Sequence, residues 1–161
     1  MSGEIRLIIA NTVARIVAST ATTSLGGGKG RAFRLWDVAD ASPEALRSIS
    51  SPSRHFVIAL EDGIELLAPT GQLTEWTDLR QGLRIDVVYP TKGSPLELIK
   101  ILAEDAVTLT HELGRLDNYD KANTNLINRT TSDVAFEATP ADGDGAPVLS
   151  MAVTVHYRPG F

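Results

Sequence analysis

The 161-residue chain contains no cysteine. This absence excludes disulfide bonds, thiol nucleophiles and cysteine-ligated metal centres. Basic residues are also fewer than acidic residues: the chain has 15 lysines and arginines and 20 aspartates and glutamates, which gives a net charge of −5. An acidic balance of this kind disfavours proteins that hold DNA by neutralising its phosphates.

The sequence has no apolar run long enough to cross a bilayer. Its first residues, Met1 to Glu4, lack the basic segment that is typical of a secretory signal. We therefore expect a soluble, cytoplasmic protein with no membrane partner. Hydrophobic residues make up 43% of the chain, which is enough to bury the core of a single domain spanning residues 1–161.

Histidine is scarce, and His55, His111 and His156 lie far apart in no metal-ligand spacing. No serine or carboxylate accompanies them in a motif that is typical of nucleophilic or acid–base catalysis. The adjacent Glu104 and Asp105 are interpreted as part of the solvated face of a helix. We therefore predict no catalytic residue, no cofactor and no enzyme activity.

Two short segments look like ligand-binding loops but depart from the known patterns. In Gly26–Gly30, Lys29 is followed by glycine rather than by serine or threonine, and no strand precedes the segment, so a phosphate loop is disfavoured. Asp142–Gly145 begins like a calcium loop, but no glutamate closes it, and a hairpin loop is favoured. We therefore predict no metal site.

The clearest structural signal is a strand followed at once by a long helix. Apolar and polar residues alternate from Leu83 to Tyr89, which is the period of a half-buried strand, and Pro90 ends it. A capping box of Ser94 and Glu97 starts a helix that runs to Leu113. Apolar residues spaced three and four apart form its predicted buried face: Leu96, Ile99, Leu102, Ala106, Leu109 and Leu113. Three more apolar residues widen this face: Leu98, Ile101 and Val107.

The same patterns place the remaining elements. A first helix spans residues 4–20, with an apolar stripe made of Ile5, Ile8, Ile9, Val13, Ile16 and Val17. Further strands are predicted at residues 33–36, 54–60, 126–137 and 148–157. Weaker signals predict a helical turn at 40–46, a turn at 61–63 and a break at 81–82. The order α-β-β-β-α-β-β indicates an α+β domain, with a mainly antiparallel sheet and two main helices packed on one face.

This succession resembles the tail terminator proteins, which join head and tail in long-tailed bacteriophages. The matching pieces are the amino-terminal helix, the strand at 54–60, the proline-ended strand at 83–90, the helix at 94–113 and the last strand, which ends in Val-Thr-Val-His-Tyr. The resemblance implies a structural protein of the virion, located at the head-proximal end of the tail and assembled in the host cytoplasm.

The resemblance also implies partners. Six copies would form a homo-hexameric ring that caps the tail tube protein, stops its polymerisation and joins it to the head connector or head-completion protein. DNA would pass through the ring transiently, without sequence-specific binding, which the acidic composition would favour. The alternatives are another head–tail connector or tail component and, less favoured, a small-ligand-binding or enzymatic α+β domain.

A glycine-rich loop at about residues 19–31 is the candidate for assembly or for lining the DNA channel. The candidate residues are Gly26, Gly27, Gly28, Lys29, Gly30 and Arg31. The glycines predict a mobile loop that becomes ordered on assembly. Lys29 and Arg31 are equally suited to DNA phosphates and to the acidic groups of a partner.

Overall fold

The computed structural model of the chain describes residues 4–25, 30–36, 54–66, 79–89, 95–114, 126–137 and 147–158. Those ranges contain two helices and five strands: α1 (Glu4–Ala18), β1 (Phe33–Leu35), β2 (Arg54–Leu66), β3 (Leu79–Val88), α2 (Pro95–Leu113), β4 (Leu126–Glu137) and β5 (Val148–Tyr157). The predicted α+β class and element order are confirmed. None of the helices in the described ranges is long and apolar enough to cross a membrane.

The strands form one sheet in the order β1-β2-β3-β5-β4. β1 pairs with β2 in parallel, and the other three pairings are antiparallel. The centre is the β3–β5 pair, in which residues 79–88 match residues 157–148 without interruption. Apolar residues recur at every second position of both strands, so one register places most of the large apolar side chains on the same face. Val88 and Val148 lie on the other face, where they pack with Trp36.

Both helices cover the face that carries most of the large apolar side chains and share one core with the sheet. The sheet contributes buried apolar residues from its two central strands: Leu79, Leu83, Ile85, Val87, Leu149, Met151, Val153, Val155 and Tyr157. α1 contributes Ile8 and Ile16, and its buried Thr12 hydroxyl donates to the Ile8 carbonyl at 2.8 Å. The core therefore follows the predicted strand faces closely.

The buried face of α2 differs from the prediction. Leu98, Ile101, Leu102, Asp105, Ala106, Leu109 and Leu113 are buried. Leu96, Ile99 and Val107 are exposed, so their predicted burial is wrong. On α1, Val17 is exposed in the same way. Each helix has more apolar residues than one sheet face can cover, and the sheet selects which side of the helix is buried.

Two predicted interruptions of the strands are also wrong. The chain does not turn at Glu61-Asp62-Gly63; β2 continues to Leu66, with a register shift between Glu61 and Glu65. This extension has a partner because β3 begins at Leu79, four residues before the predicted start. The predicted helical turn at residues 40–46 lies outside the described residues.

The predicted break at Gln81 and Gly82 lies inside β3. The buried Gln81 amide donates to the carbonyls of Glu61 at 3.0 Å and Gly82 at 2.9 Å. A Cβ atom at Gly82 would lie 3.1 Å from the Glu61 carbonyl oxygen. Gly82 therefore permits a close approach of two strands and does not end one.

The core assignment predicts a clear contrast between two positions on α2. Leu102 is buried, so Leu102→Ala is expected to destabilise the fold by about 2–5 kcal/mol through lost burial and a cavity. Val107 is exposed on the same helix, so Val107→Ala is expected to change stability by less than about 0.5 kcal/mol. Denaturant unfolding of both variants tests this, and equal losses would contradict the assigned buried face.

Candidate assembly surface

A buried arginine fixes the base of the glycine-rich loop. Arg54, the first residue of β2, is fully buried. Its Nε donates to Asp105 Oδ2 on α2 at 2.5 Å. Its Nη1 and Nη2 donate to the carbonyls of Gly30 and Thr23, each at 2.5 Å. The guanidinium carbon also lies 5.7 Å from the centroid of the Phe33 ring. One side chain therefore joins the sheet, a helix and both arms of the loop.

The acidic partner of Arg54 is enclosed as well. Asp105 is fully buried, and the Tyr89 hydroxyl donates to the same Oδ2 atom at 2.6 Å. Oδ1 has no hydrogen-bond partner among the described residues. The prediction that Asp105 lies on a solvated face is wrong, because the position falls between Leu102 and Leu109 on the buried side of α2. The neighbouring Glu104 is exposed, as predicted.

Burial is the main influence on the pKa values of Tyr89 and Asp105, the two ionisable groups that contact Arg54. It raises the pKa of Tyr89 well above its usual value, and the Asp105 carboxylate raises it further, so the phenol stays protonated and donates. Burial also raises the pKa of Asp105. Hydrogen bonds from Arg54 and Tyr89 oppose that rise without cancelling it.

The structure describes only part of the candidate loop. Gly26, Gly27, Gly28 and Lys29 lie outside the described residues. The Gly30 carbonyl accepts from the Leu25 amide at 3.0 Å as well as from Arg54. Arg31 donates through Nε to the Ala21 carbonyl at 2.7 Å, and its own carbonyl accepts from the Ala21 amide. An isolated bridge between Thr20 and Ala32 continues this pairing. The base of the loop is therefore held by hydrogen bonds.

Sequence reasoning did not find this network. Arg54 is two residues before Phe56 on the same strand face, and Asp105 lies four residues after Ile101 and four before Leu109, so each charge has apolar neighbours on its own face. Two opposite charges of this kind in one chain are a signal that they pair, because an isolated buried charge is too costly. Arg54 and Asp105 are 51 residues apart in sequence, so their pairing becomes apparent only when the tertiary structure is known.

Two apolar surfaces remain exposed on the helices. The α1 flank consists of Leu7, Ala10, Ala14 and Val17, in which Leu7 is 42% and Val17 49% exposed. The α2 flank consists of Leu96, Ile99, Ala103 and Val107, in which Leu96 is 61%, Ile99 39% and Val107 72% exposed. Both sets repeat at intervals of three and four, so each forms a stripe along its helix. These stripes are candidates for a contact with another protein.

Both flanks lie on the sides of their helices that point away from the shared core. Arg15 Nη2 and Glu112 Oε2 are 2.9 Å apart, which marks the sides on which the helices face each other. At 3.6 residues per turn, the α2 flank lies roughly 140–180° around its helix from Glu112, and the α1 flank roughly 80–160° from Arg15. α1 lies against β1, whereas α2 lies against β4 and β5. The two helices therefore lie over different halves of the sheet.

The two edge strands of the sheet are further candidates for contact with another chain. β1 has three residues and β4 has 12, and within the described residues each pairs with one neighbour. The outer side of an edge strand presents amide and carbonyl groups that can pair with another chain. The two helix flanks and the two sheet edges are the candidate assembly surfaces.

The three histidines are not brought together. His111 is exposed on α2, His55 lies edge-on to Trp36 with ring centroids 5.4 Å apart, and His156 is half-buried on β5. Within the described ranges, no three His, Cys, Asp or Glu residues are grouped so that they could hold a metal ion. Asp142 and Asp144, from the rejected calcium loop, lie outside those ranges.

Comparison with known proteins assigns no family to this chain. It matches no protein-family model and no curated protein.

The buried network predicts that Asp105 is essential for stability. Asp105→Ala leaves the Arg54 guanidinium buried without its counter-charge, so the fold is expected to lose about 3–5 kcal/mol. Glu104→Ala, one residue away but exposed, is the control and is expected to cost less than about 0.5 kcal/mol. Denaturant unfolding that shows similar effects for both variants would contradict the network.

The raised pKa of Asp105 predicts the sign of a pH effect. The folded state binds the Asp105 proton more tightly than the unfolded state, for which the pKa is about 3.9. The resulting stability is fully present below the unfolded pKa and is lost as pH rises through the folded pKa. The stability of the wild type relative to Asp105→Asn is therefore expected to increase as the pH is lowered from 7 toward 4. Urea unfolding at several pH values measures this difference, and a decrease on acidification would contradict the assigned direction.

Proposed function

We propose that this protein is a structural tail terminator of a long-tailed bacteriophage. In this role, copies of the chain form a ring that caps the tail tube, stops its polymerisation and offers a surface to the head connector. The observation on which the proposal rests is the pair of exposed apolar flanks, one on each helix. A chain with two different contact surfaces can assemble head-to-tail, and such an assembly closes into a ring when the rotation per subunit allows.

Three further features support this role. The order of elements resembles that of tail terminators along most of the chain. The base of the glycine-rich loop is fixed by Arg54 while its tip, Gly26–Lys29, contains three glycines and a lysine that suit contact with a neighbour. The net charge of −5 suits a channel through which DNA slides without being held.

The test uses purified tail tube protein from a phage that encodes this chain. Tubes polymerised with the full-length protein are expected to be short and to carry a ring at one end in electron micrographs. Tubes polymerised without it are expected to keep growing. Val107→Glu, which places a charge on the α2 flank, is expected to abolish the ring and the length control.

Leu60→Glu is the matched control. It also exchanges an exposed apolar residue for a charge, since Leu60 is 59% exposed on β2, but it lies on neither flank. This variant is expected to cap tubes like the wild type. Tubes of unrestricted length in the presence of the wild-type protein, or catalytic turnover of a substrate, would refute the proposed function.

A further inference from the structure

We infer that a short strap, residues 22–24, switches between two positions by exchanging partners with the buried ion pair of Arg54 and Asp105. In the docked position, which is the one described above, the Thr23 carbonyl accepts from Arg54 Nη2. In the lifted position, the strap moves outward and Asp105 Oδ1 accepts from Nη2 in its place. The movement takes place within one subunit and does not depend on the proposed function.

One edge of the Arg54 guanidinium is shared between a side chain and the strap. Nε and Nη2 point in the same direction, and a carboxylate commonly pairs with such an edge through both of its oxygens. Here Asp105 Oδ2 accepts from Nε alone, while the Thr23 carbonyl accepts from Nη2, each at 2.5 Å. The docked strap therefore occupies the place that the second carboxylate oxygen would take.

The docked position leaves two buried oxygens at this site without a hydrogen-bond partner among the described residues. Asp105 Oδ1 is one of them, and Ser24 Oγ, at the end of the strap, is the other. A polar atom that gives up water without gaining a partner destabilises the state in which it is buried. Lifting relieves both atoms, because Nη2 then donates to Oδ1 and water reaches Ser24 Oγ.

Lifting breaks few contacts. The Thr23 hydroxyl donates to Glu104 Oε2 at 2.6 Å, but this hydrogen bond is exposed, so water can replace it. The Thr23 carbonyl likewise gains water when it leaves Nη2. The ion pair itself is retained, since Asp105 Oδ2 keeps its hydrogen bonds from Arg54 Nε and the Tyr89 hydroxyl. We therefore expect the two positions to be close in free energy.

Fixed points on both sides confine the movement to the strap. Before it, the Ala21 amide donates to the Arg31 carbonyl at 2.9 Å, and after it, the Leu25 amide donates to the Gly30 carbonyl at 3.0 Å. Ala21 and Leu25 are also buried in the core. A molecule that binds the lifted strap more tightly than the docked one would shift the population toward the lifted position.

The absence of native cysteine makes a direct test possible, because Ser24→Cys places a single thiol on the strap of the full-length protein. Ser24 Oγ is buried in the docked position, so the reaction of the thiol with a labelling reagent measures lifting. Labelling is expected to be faster than global unfolding and insensitive to low concentrations of urea. All variants below are compared in this Ser24→Cys background.

Asp105→Asn distinguishes a switch from a simple anchor. The amide nitrogen of asparagine cannot accept from Nη2, so the lifted position loses its replacement hydrogen bond. Labelling is therefore expected to slow by about 2–12-fold, the effect of one hydrogen bond. If Asp105 only held the docked strap in place, the same substitution would speed labelling, and that result would overturn the inference.

Thr23→Val shifts the equilibrium in the opposite direction. It removes the exposed hydrogen bond to Glu104, so labelling is expected to speed up by about 2–12-fold. The matched control is Thr22→Val, which makes the same change at the exposed neighbouring residue and is expected to leave the rate unchanged. Labelling that follows global unfolding in every variant would show that the strap does not lift.

A second measurement decides the partner exchange even if Asp105→Asn does not fold. In the Thr23→Val protein, NMR is used to follow the exchange of the Arg54 Nη2 protons with water. These protons are expected to remain as protected as in the protein with Thr23, because Asp105 Oδ1 replaces the Thr23 carbonyl. Loss of protection in proportion to the gain in labelling would overturn the inference.

Discussion

The fold depends on the buried ion pair between Arg54 and Asp105. Neither charge is accessible to solvent, so each requires the other, and removal of one leaves a costly isolated charge in the core. The pair fixes where α2 lies on the sheet, because Asp105 must reach the first residue of β2. It also fixes the loop base, because the remaining guanidinium nitrogens are satisfied by the carbonyls of Thr23 and Gly30. Tyr89 completes the arrangement from the end of β3.

This constraint has consequences for the outer surface. A helix held by Asp105 on its inner side must present the opposite side to solvent, and on α2 that side includes Leu96 and Val107. The ion pair of Arg15 and Glu112 joins α1 to α2. The two exposed flanks are therefore held in place by the same contacts that position the helices on the sheet. A rigid subunit with two unlike exposed surfaces suits head-to-tail assembly.

The proposed ring assigns a physical role to the features that a monomer does not use. Exposed leucine, isoleucine and valine on the helices are unfavourable in water but favourable in a contact between copies. The edge strands β1 and β4, which are open to pairing in the described residues, would be covered by neighbours in a ring. Arg54 anchors the base of the glycine-rich loop through the carbonyls of Gly30 and Thr23.

The sequence by itself determined the element order and the buried faces of the central strands. Leu83, Ile85 and Val87 alternate with Arg84 and Asp86. In β5, large apolar residues alternate with small or polar ones from Leu149 to Tyr157, so local periodicity was sufficient. The sequence did not determine the buried side of α2, because apolar residues occur on two sides of that helix and only contact with the sheet selects one. Local patterns also placed Asp105 on a solvated face and predicted a turn from Glu61 to Gly63. The first prediction is wrong because Asp105 pairs with a residue 51 positions away. The second is wrong because β3 begins early enough to pair with an extended β2. Tertiary structure decided these points because buried charges and long strands are stabilised by distant residues, which local patterns do not contain.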